Sequence, residues 1–232
     1  MIRFQNRREA GQLLALELSH YANREDLLIL ALPRGGVPVA HEIARVLQAP
    51  LDVLLVRKLG VPGHEEVAMG AIATGGIRLL NREMIDALGI TPESIAEVDR
   101  IEQEELARRE QLYRKTHPPL DATGKTVILV DDGIATGATM QAAIASLRLR
   151  HAGRIVVASP VAPASLVTQL RQIADEVVCV QAPDDFRGVS RWYEDFSQTS
   201  DEEVRQLLNL KGDSQGVFHS KVSGCSSFPN LL

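Results

Sequence analysis

Apolar positions along the chain gather into short, dense runs. Val, Ile and Leu dominate 27–31, 51–57, 126–130, 154–159 and 176–180, and weaker runs stand at 69–73 and 77–80. Runs apolar at nearly every position leave no face for solvent, so they predict strands covered on both sides rather than half-exposed ones. Between them the spacing turns helical, over 7–19, 37–47, 138–149, 163–173 and 201–210. Strand followed by helix, repeated, predicts an α/β fold with a doubly wound, mainly parallel sheet flanked by helices.

One stretch breaks the alternation. Residues 81–123 hold no strand candidate; Asn81 caps a short helix ended by Gly89, and Thr91-Pro92-Glu93 opens a long charged helix running to about residue 115. Glu102, Glu104 and Glu105 ahead of Arg108 and Arg109 predict ion pairs one helical turn apart on a solvated face, without chemistry. The expected organisation is one domain over 1–211 with a helical insertion at 81–123. From 212 to 232 the periodicity fades and Ser and Gly accumulate, which predicts a disordered tail.

Composition narrows the class. The 232 residues are 45% hydrophobic and 24% charged, enough apolar material for one core. No run of eighteen apolar residues occurs and the first eleven, MIRFQNRREAG, are polar, so neither membrane insertion nor export is expected. Two cysteines, Cys179 in a strand-like run and Cys225 in the tail, are too few for a disulfide framework or a thiolate zinc site, and a reducing cytoplasm fits best. The net charge of −5, from 25 Lys+Arg against 30 Asp+Glu, predicts no broad basic surface for nucleic acid. An anionic ligand would have to be small and met by local groups.

The segment 125–139, KTVILVDDGIATGAT, offers such groups. A buried strand ends in two carboxylates, and a loop of small residues leads into a helix. Gly133, Ala135, Gly137 and Ala138 let backbone N–H groups close around a compact anion, helped by the positive end of the helix. Thr136 and Thr139 add hydroxyl donors, so a phosphate monoester is the natural guest. Asp131 and Asp132 would repel that phosphate but can accept hydrogen bonds from a neighbouring sugar diol, which together suggests ribose 5-phosphate. The alternative is that an acid merely caps the next helix. Other phosphate motifs fail: Gly124-Lys125-Thr126 precedes its strand and has Pro at 119 where a P-loop needs Gly, and neither Gly35-Gly36 nor Gly133 with Gly137 has the dinucleotide spacing.

Residues 127–139 resemble the phosphoribosyl pyrophosphate (PRPP) signature of type I phosphoribosyltransferases, with four apolar residues, two acids and a Thr-Gly-x-Thr loop. The resemblance implies that Asp131 and Asp132 hold the ribose hydroxyls while Ile134, Ala135, Thr136, Gly137, Ala138 and Thr139 wrap the 5-phosphate. Gly133 departs from the pattern, since many members carry an apolar residue there. The likeness extends over roughly 25–200. ALPRGGVPVA at 31–40 is similar to the family's pyrophosphate loop, where Arg34 suits phosphate oxygens and Gly35 and Gly36 admit a close backbone, although Gly-Gly also serves a plain turn. VRKLGVPG at 56–63, continuing through His64, Glu65 and Glu66, resembles the start of a mobile loop over the reacting centre, with Lys58 the better candidate of Arg57 and Lys58. His64 can assist catalysis or stand in solvent. The aromatic segment 183–200 lies where the family has its hood, so Phe186 or Trp192 either faces a flat base or closes the edge of the core.

What the resemblance implies is a Mg²⁺-dependent transfer of ribose 5-phosphate from PRPP to a nitrogenous, nucleobase-type acceptor with release of pyrophosphate. The metal would be bound mainly through substrate oxygens, Arg34 and Lys58 would neutralise the leaving group, and Asp131 and Asp132 would sit beside the cationic ribose. Nucleic acid and membrane are not expected as partners, and a homodimer stays open. Two other readings use the same pocket: a non-catalytic PRPP or nucleotide sensor, and a sugar-phosphate hydrolase, for which no water-activating base is evident.

Overall fold

A computed structural model describes residues 3–114 and 118–209, so the tail expected over 212–232, Cys225 included, lies outside the described residues. The elements run α1 (Arg7–Glu17), β1 (Leu27–Ala31), α2 (Gly36–Leu47), β2 (Leu51–Val53), β3 (Val56–Val61), β4 (His64–Ala73), β5 (Ile77–Leu80), α3 (Arg82–Leu88) and α4 (Pro92–Arg114). They continue β6 (Thr126–Val130), α5 (Ala138–Leu149), β7 (Arg154–Val161), α6 (Ala164–Leu170), β8 (Glu176–Gln181) and α7 (Asp201–Asn209).

Five strands make one parallel sheet in the order β2-β1-β6-β7-β8. Every residue of β1 and β6 is buried, as their unbroken apolar runs predict. Alternate side chains serve opposite faces. Leu27, Ile29, Ile128 and Val130 pack with Leu14, Ile43, Leu47 and Val204 from α1, α2 and α7. Leu28, Leu30, Val127 and Leu129 pack with Ile144, Leu147 and Leu170 from α5 and α6.

Strand order reverses at β1, with β2 on one side and β6 on the other. The helices that follow β1 and β6, α2 and α5, lie on opposite faces. Their departure in opposite directions opens a crevice at the carboxyl ends of these two strands, the place where doubly wound sheets bind ligands. The register is level there, Ala31 opposite Val130, so the loops after both strands start side by side.

Two expectations are corrected. The run 51–57 is not one strand: β2 belongs to the parallel sheet, and β3 begins a separate antiparallel sheet, β3-β4-β5. Leu54 donates its N–H to Ala31 O at 2.9 Å, whereas Leu55 O accepts from Thr74 N at 2.9 Å, so the chain changes sheets between adjacent residues. Both leucines are buried throughout the crossing, which is why hydrophobicity shows no break. The region after Lys58 is also not a loop but the β3–β4 hairpin, turning at Pro62-Gly63 with Gly63 at φ +78°. Gly60 belongs to the strand: a Cβ there would lie 2.8 Å from the Glu65 backbone, and the pairing register slips at this point.

The helical stretch follows its signals. Asn81 accepts a hydrogen bond from Met84 N at 3.0 Å, and Gly89 ends α3 in the left-handed region at φ +61°. On α4, Arg100 pairs with Glu104 and Arg109 with Glu105, each at 2.7 Å. Glu102 reaches across instead to Arg57 on β3 at 2.5 Å, and α4 packs on β3 and β4.

Candidate active site

The two loops beginning at the level ends of β1 and β6 touch. A Cβ on Gly35 would lie 2.0 Å from Asp132 Oδ2, and one on Gly36 would lie 2.7 Å from Val130 O and 3.0 Å from Asp131 Cα. Any side chain at either position would displace the acid pair, so the glycines are needed for approach; Gly35 itself has ordinary helical angles, φ −60° and ψ −34°. The Pro33–Arg34 peptide between strand and glycines is cis.

Beyond the acids, the chain is pinned at Ile134, whose side chain is buried against α5 and α6 and whose N–H donates to Val161 O at 2.9 Å. Ala135, Thr136 and Thr139 are exposed, and Gly137 turns the chain into α5 at φ +77°. The first-turn amides of α5 have no acceptor within the helix. The result is an open cradle with hydroxyls and amide donors at its rim. Gly133 is buried, and a Cβ there would meet Val189 Cγ1 at 2.3 Å; Val189 occupies the space of an apolar side chain at 133.

Asp131 accepts from the Asp132 N–H at 2.9 Å through Oδ1. Its carboxyl is held well above the usual range, first by burial and then by the Asp132 charge. Asp132 is also raised by burial, with Arg7 opposing the shift: Arg7 Nε donates to Asp132 Oδ2 at 2.7 Å. The two carboxyls stand one residue apart, so the charge of Asp132 bears on Asp131. Tyr193, whose hydroxyl donates to Asp132 O at 2.5 Å, is likewise pushed up by burial.

The predicted cations face other partners. Arg34 Nη1 lies 3.8 Å from Asp201 Oδ1 at the start of α7, and Asp201 accepts from the Tyr113 hydroxyl at 2.6 Å. Burial and that carboxylate push Tyr113 up to about 12. Lys58 Nζ lies 3.9 Å from Glu66 Oε2 across the hairpin, and both line a cavity of about 410 Å³ between hairpin and α4. Arg57 is taken by Glu102. His64 is exposed beside the hairpin turn. The hairpin sheet packs on α5, the helix that closes the cradle. Trp192, 4% exposed, is buried with Phe4, Ala10, Val161 and Tyr193, so it closes the edge of the core; Phe186 packs partly buried against the same cluster.

Arg7 is the site residue that motif reading misses. One signal for it does exist in the sequence: Arg7 and Arg8 fill the first turn of α1, where the helix dipole disfavours cations.

The sequence pattern of the phosphoribosyl transferase domain matches residues 5–196. The chain belongs to that family. It is 43% identical over 206 residues to a provisionally named phosphoribosyl transferase of Mycobacterium tuberculosis, covering 89% of this chain and 46% of that protein. A bifunctional protein PyrR of Chloroflexus aurantiacus is 36% identical over 115 residues, 48% of this chain and 56% of the relative. The chain thus spans about half the length of these curated relatives. Among solved structures, TT1426 from Thermus thermophilus superposes with a TM-score of 0.79 at 42% identity, covering 89% of this chain and 98% of that one. The type I transferase-like sheet expected from the sequence is therefore the fold observed. No helix among the described residues is long and apolar enough to cross a membrane.

Proposed function

We propose that the chain is a Mg²⁺-dependent phosphoribosyltransferase that moves ribose 5-phosphate from PRPP onto a nitrogenous acceptor of nucleobase type and releases pyrophosphate. The observation that carries this reading is the close approach of Gly35 to the Asp132 carboxylate, which brings the loops after β1 and β6 to one crevice and supports their use by one ligand. In this reading, residues 134–139 wrap the 5-phosphate, with the Thr136 and Thr139 hydroxyls as donors. Asp131 and Asp132 take the ribose hydroxyls. Arg34, Gly35 and Gly36 meet the pyrophosphate, and Lys58 reaches it from the hairpin.

The bond from C1 to pyrophosphate breaks as the acceptor nitrogen adds, so positive charge grows on the ribose and negative charge on the leaving group. Arg34 and Lys58 supply the countercharge. Their present contacts of 3.8 and 3.9 Å are too long to be hydrogen bonds, so turning toward pyrophosphate sacrifices none. The negative charge of the acid pair beside the ribose offsets its growing positive charge. Among the described residues no three His, Cys, Asp or Glu side chains are grouped to hold a metal. In this reading the ion is carried mainly on pyrophosphate oxygens, where Mg²⁺ would neutralise the leaving group. Two cysteines, too few for a disulfide framework, favour a reducing cytoplasm, and the acidic charge balance favours small-molecule partners over nucleic acid.

The test is Mg²⁺-dependent pyrophosphate release from PRPP across purine and pyrimidine bases, repeated with Asp131→Asn and Asp132→Asn combined. At least one base should yield its nucleotide, and the double variant should lose that activity. Tight PRPP binding with no product from any base would turn the assignment to a sensor; absence of PRPP binding would end it.

A further inference from the structure

We propose that Arg7 is the positioning residue of the acid pair, holding the Asp132 carboxylate as the acceptor for the ribose diol; this rests on the PRPP reading above. Arg7 is fixed from three directions. Its Nε donates to Asp132 Oδ2 at 2.7 Å, its Nη1 donates to Ser197 O at 2.7 Å, and its guanidinium lies 4.0 Å from the centroid of the Phe196 ring. The Arg7 and Asp132 side chains are only 12% and 13% exposed, so water screens the pair poorly. Gly35 leaves the carboxylate its space, and Tyr193 holds the carbonyl of the same residue.

The arrangement is asymmetric. Among the described residues no cation lies within ion-pair distance of Asp131, whereas Asp132 has Arg7. Two carboxyls one residue apart do not ionise independently, and a cation on one directs the negative charge to it. Arg7 thereby makes Asp132 the ionised acceptor and leaves the proton with Asp131, which can donate it. A sugar diol offers two hydroxyls that each donate and accept, so a donor beside an acceptor fits it.

Two of the carboxylates that face Arg7 are held by other groups. Behind it lies a cavity of about 240 Å³ whose lining includes Arg8, His41, Glu42, Asp195 and Glu203. Glu42 is already paired with Arg45 at 3.0 Å and Arg8 at 3.5 Å, and Asp195 accepts from the Ser197 N–H at 2.9 Å. Because Ser197 and Phe196 hold the guanidinium, Arg7 also ties the segment after Trp192 to the reacting centre.

The experiment compares the wild type with Arg7→Gln and Arg7→Lys by PRPP titration with Mg²⁺ between pH 5.5 and 8.5. Ionisation of PRPP itself is common to all three proteins and cancels in the comparison. The acid limb of the affinity profile should move about 1–3 pH units upward in Arg7→Gln, costing tenfold or more in affinity near neutrality, and Arg7→Lys should recover most of it. Carboxyl ¹³C titration of Asp132 without ligand should move in the same direction. An unchanged profile in Arg7→Gln, or a loss equal at every pH that lysine does not recover, overturns the inference. If the wild type binds no PRPP, the functional reading fails, and the Asp132 titration still decides whether Arg7 controls that carboxyl.

Discussion

Gly35 and Asp132, almost a hundred residues apart, share one volume: the hydrogen of the glycine points where a Cβ would sit 2.0 Å from the Asp132 carboxylate oxygen. Backbone angles at 35 suit any residue, so the requirement for glycine is steric rather than conformational. Gly35→Ala is therefore expected to push the carboxylate off Arg7 and weaken PRPP binding about tenfold or more, the equivalent of losing one good contact. Calorimetric titration measures this directly; wild-type affinity in the alanine variant would show that the carboxylate has room to yield.

Asp131 carries a stability cost at neutral pH. Its carboxyl in the folded protein titrates above the ordinary 3.8, so its favourable contribution is complete below that value and is lost as pH rises through the folded pKa. Asp131→Asn removes the charge and keeps an acceptor for the Asp132 N–H. The variant should melt about 2 °C or more above the wild type at pH 8, with the difference vanishing near pH 4, while activity falls. Melting curves at the two pH values check both the sign and the window.

Much of the fold was legible because parallel strands covered on both faces leave an unambiguous apolar run, as in 27–31 and 126–130. The acid pair and its glycine loop were legible because they lie together in sequence. Two features were not. The jump between sheets at Leu54–Leu55 is buried on both sides, so composition is continuous across a change of partner. Arg7 meets Asp132 across 125 positions of sequence, and no spacing rule reports such a contact.

Gly133 and Val189 form a second shared volume. Gly133→Ala should cost about 1–3 kcal/mol by overpacking against the Val189 side chain. Adding Val189→Ala should recover part of that loss, giving a coupling of about 0.5–3 kcal/mol in a double-mutant cycle read by urea unfolding. Strict additivity would place the two residues in separate environments.

Arg114 fixes the end of α4. Its Nε donates to Asp52 Oδ1 at 3.2 Å, another of its nitrogens donates to Val53 O, and Asp52 Oδ2 accepts from Leu120 N at 3.0 Å. Both side chains are nearly enclosed, so Arg114→Ala strands a buried anion and should destabilise the protein by about 3–5 kcal/mol. Chemical denaturation checks the magnitude; a loss under about 1 kcal/mol would mean that water reaches Asp52 in the variant.

The two-residue passage between the sheets has a mechanical consequence: Leu54 and Leu55 hold the two sheets together through adjacent backbone groups. The chain leaves the parallel sheet after its edge strand β2 and re-enters it at the interior strand β6, while β1 and β6 pair directly with each other. Hairpin and long helix are thus an upper storey keyed into its foundation: β3, β4 and β5 rest on α5 and Tyr113 is tied to Asp201 of α7, so a change above is transmitted to the loop that opens α5.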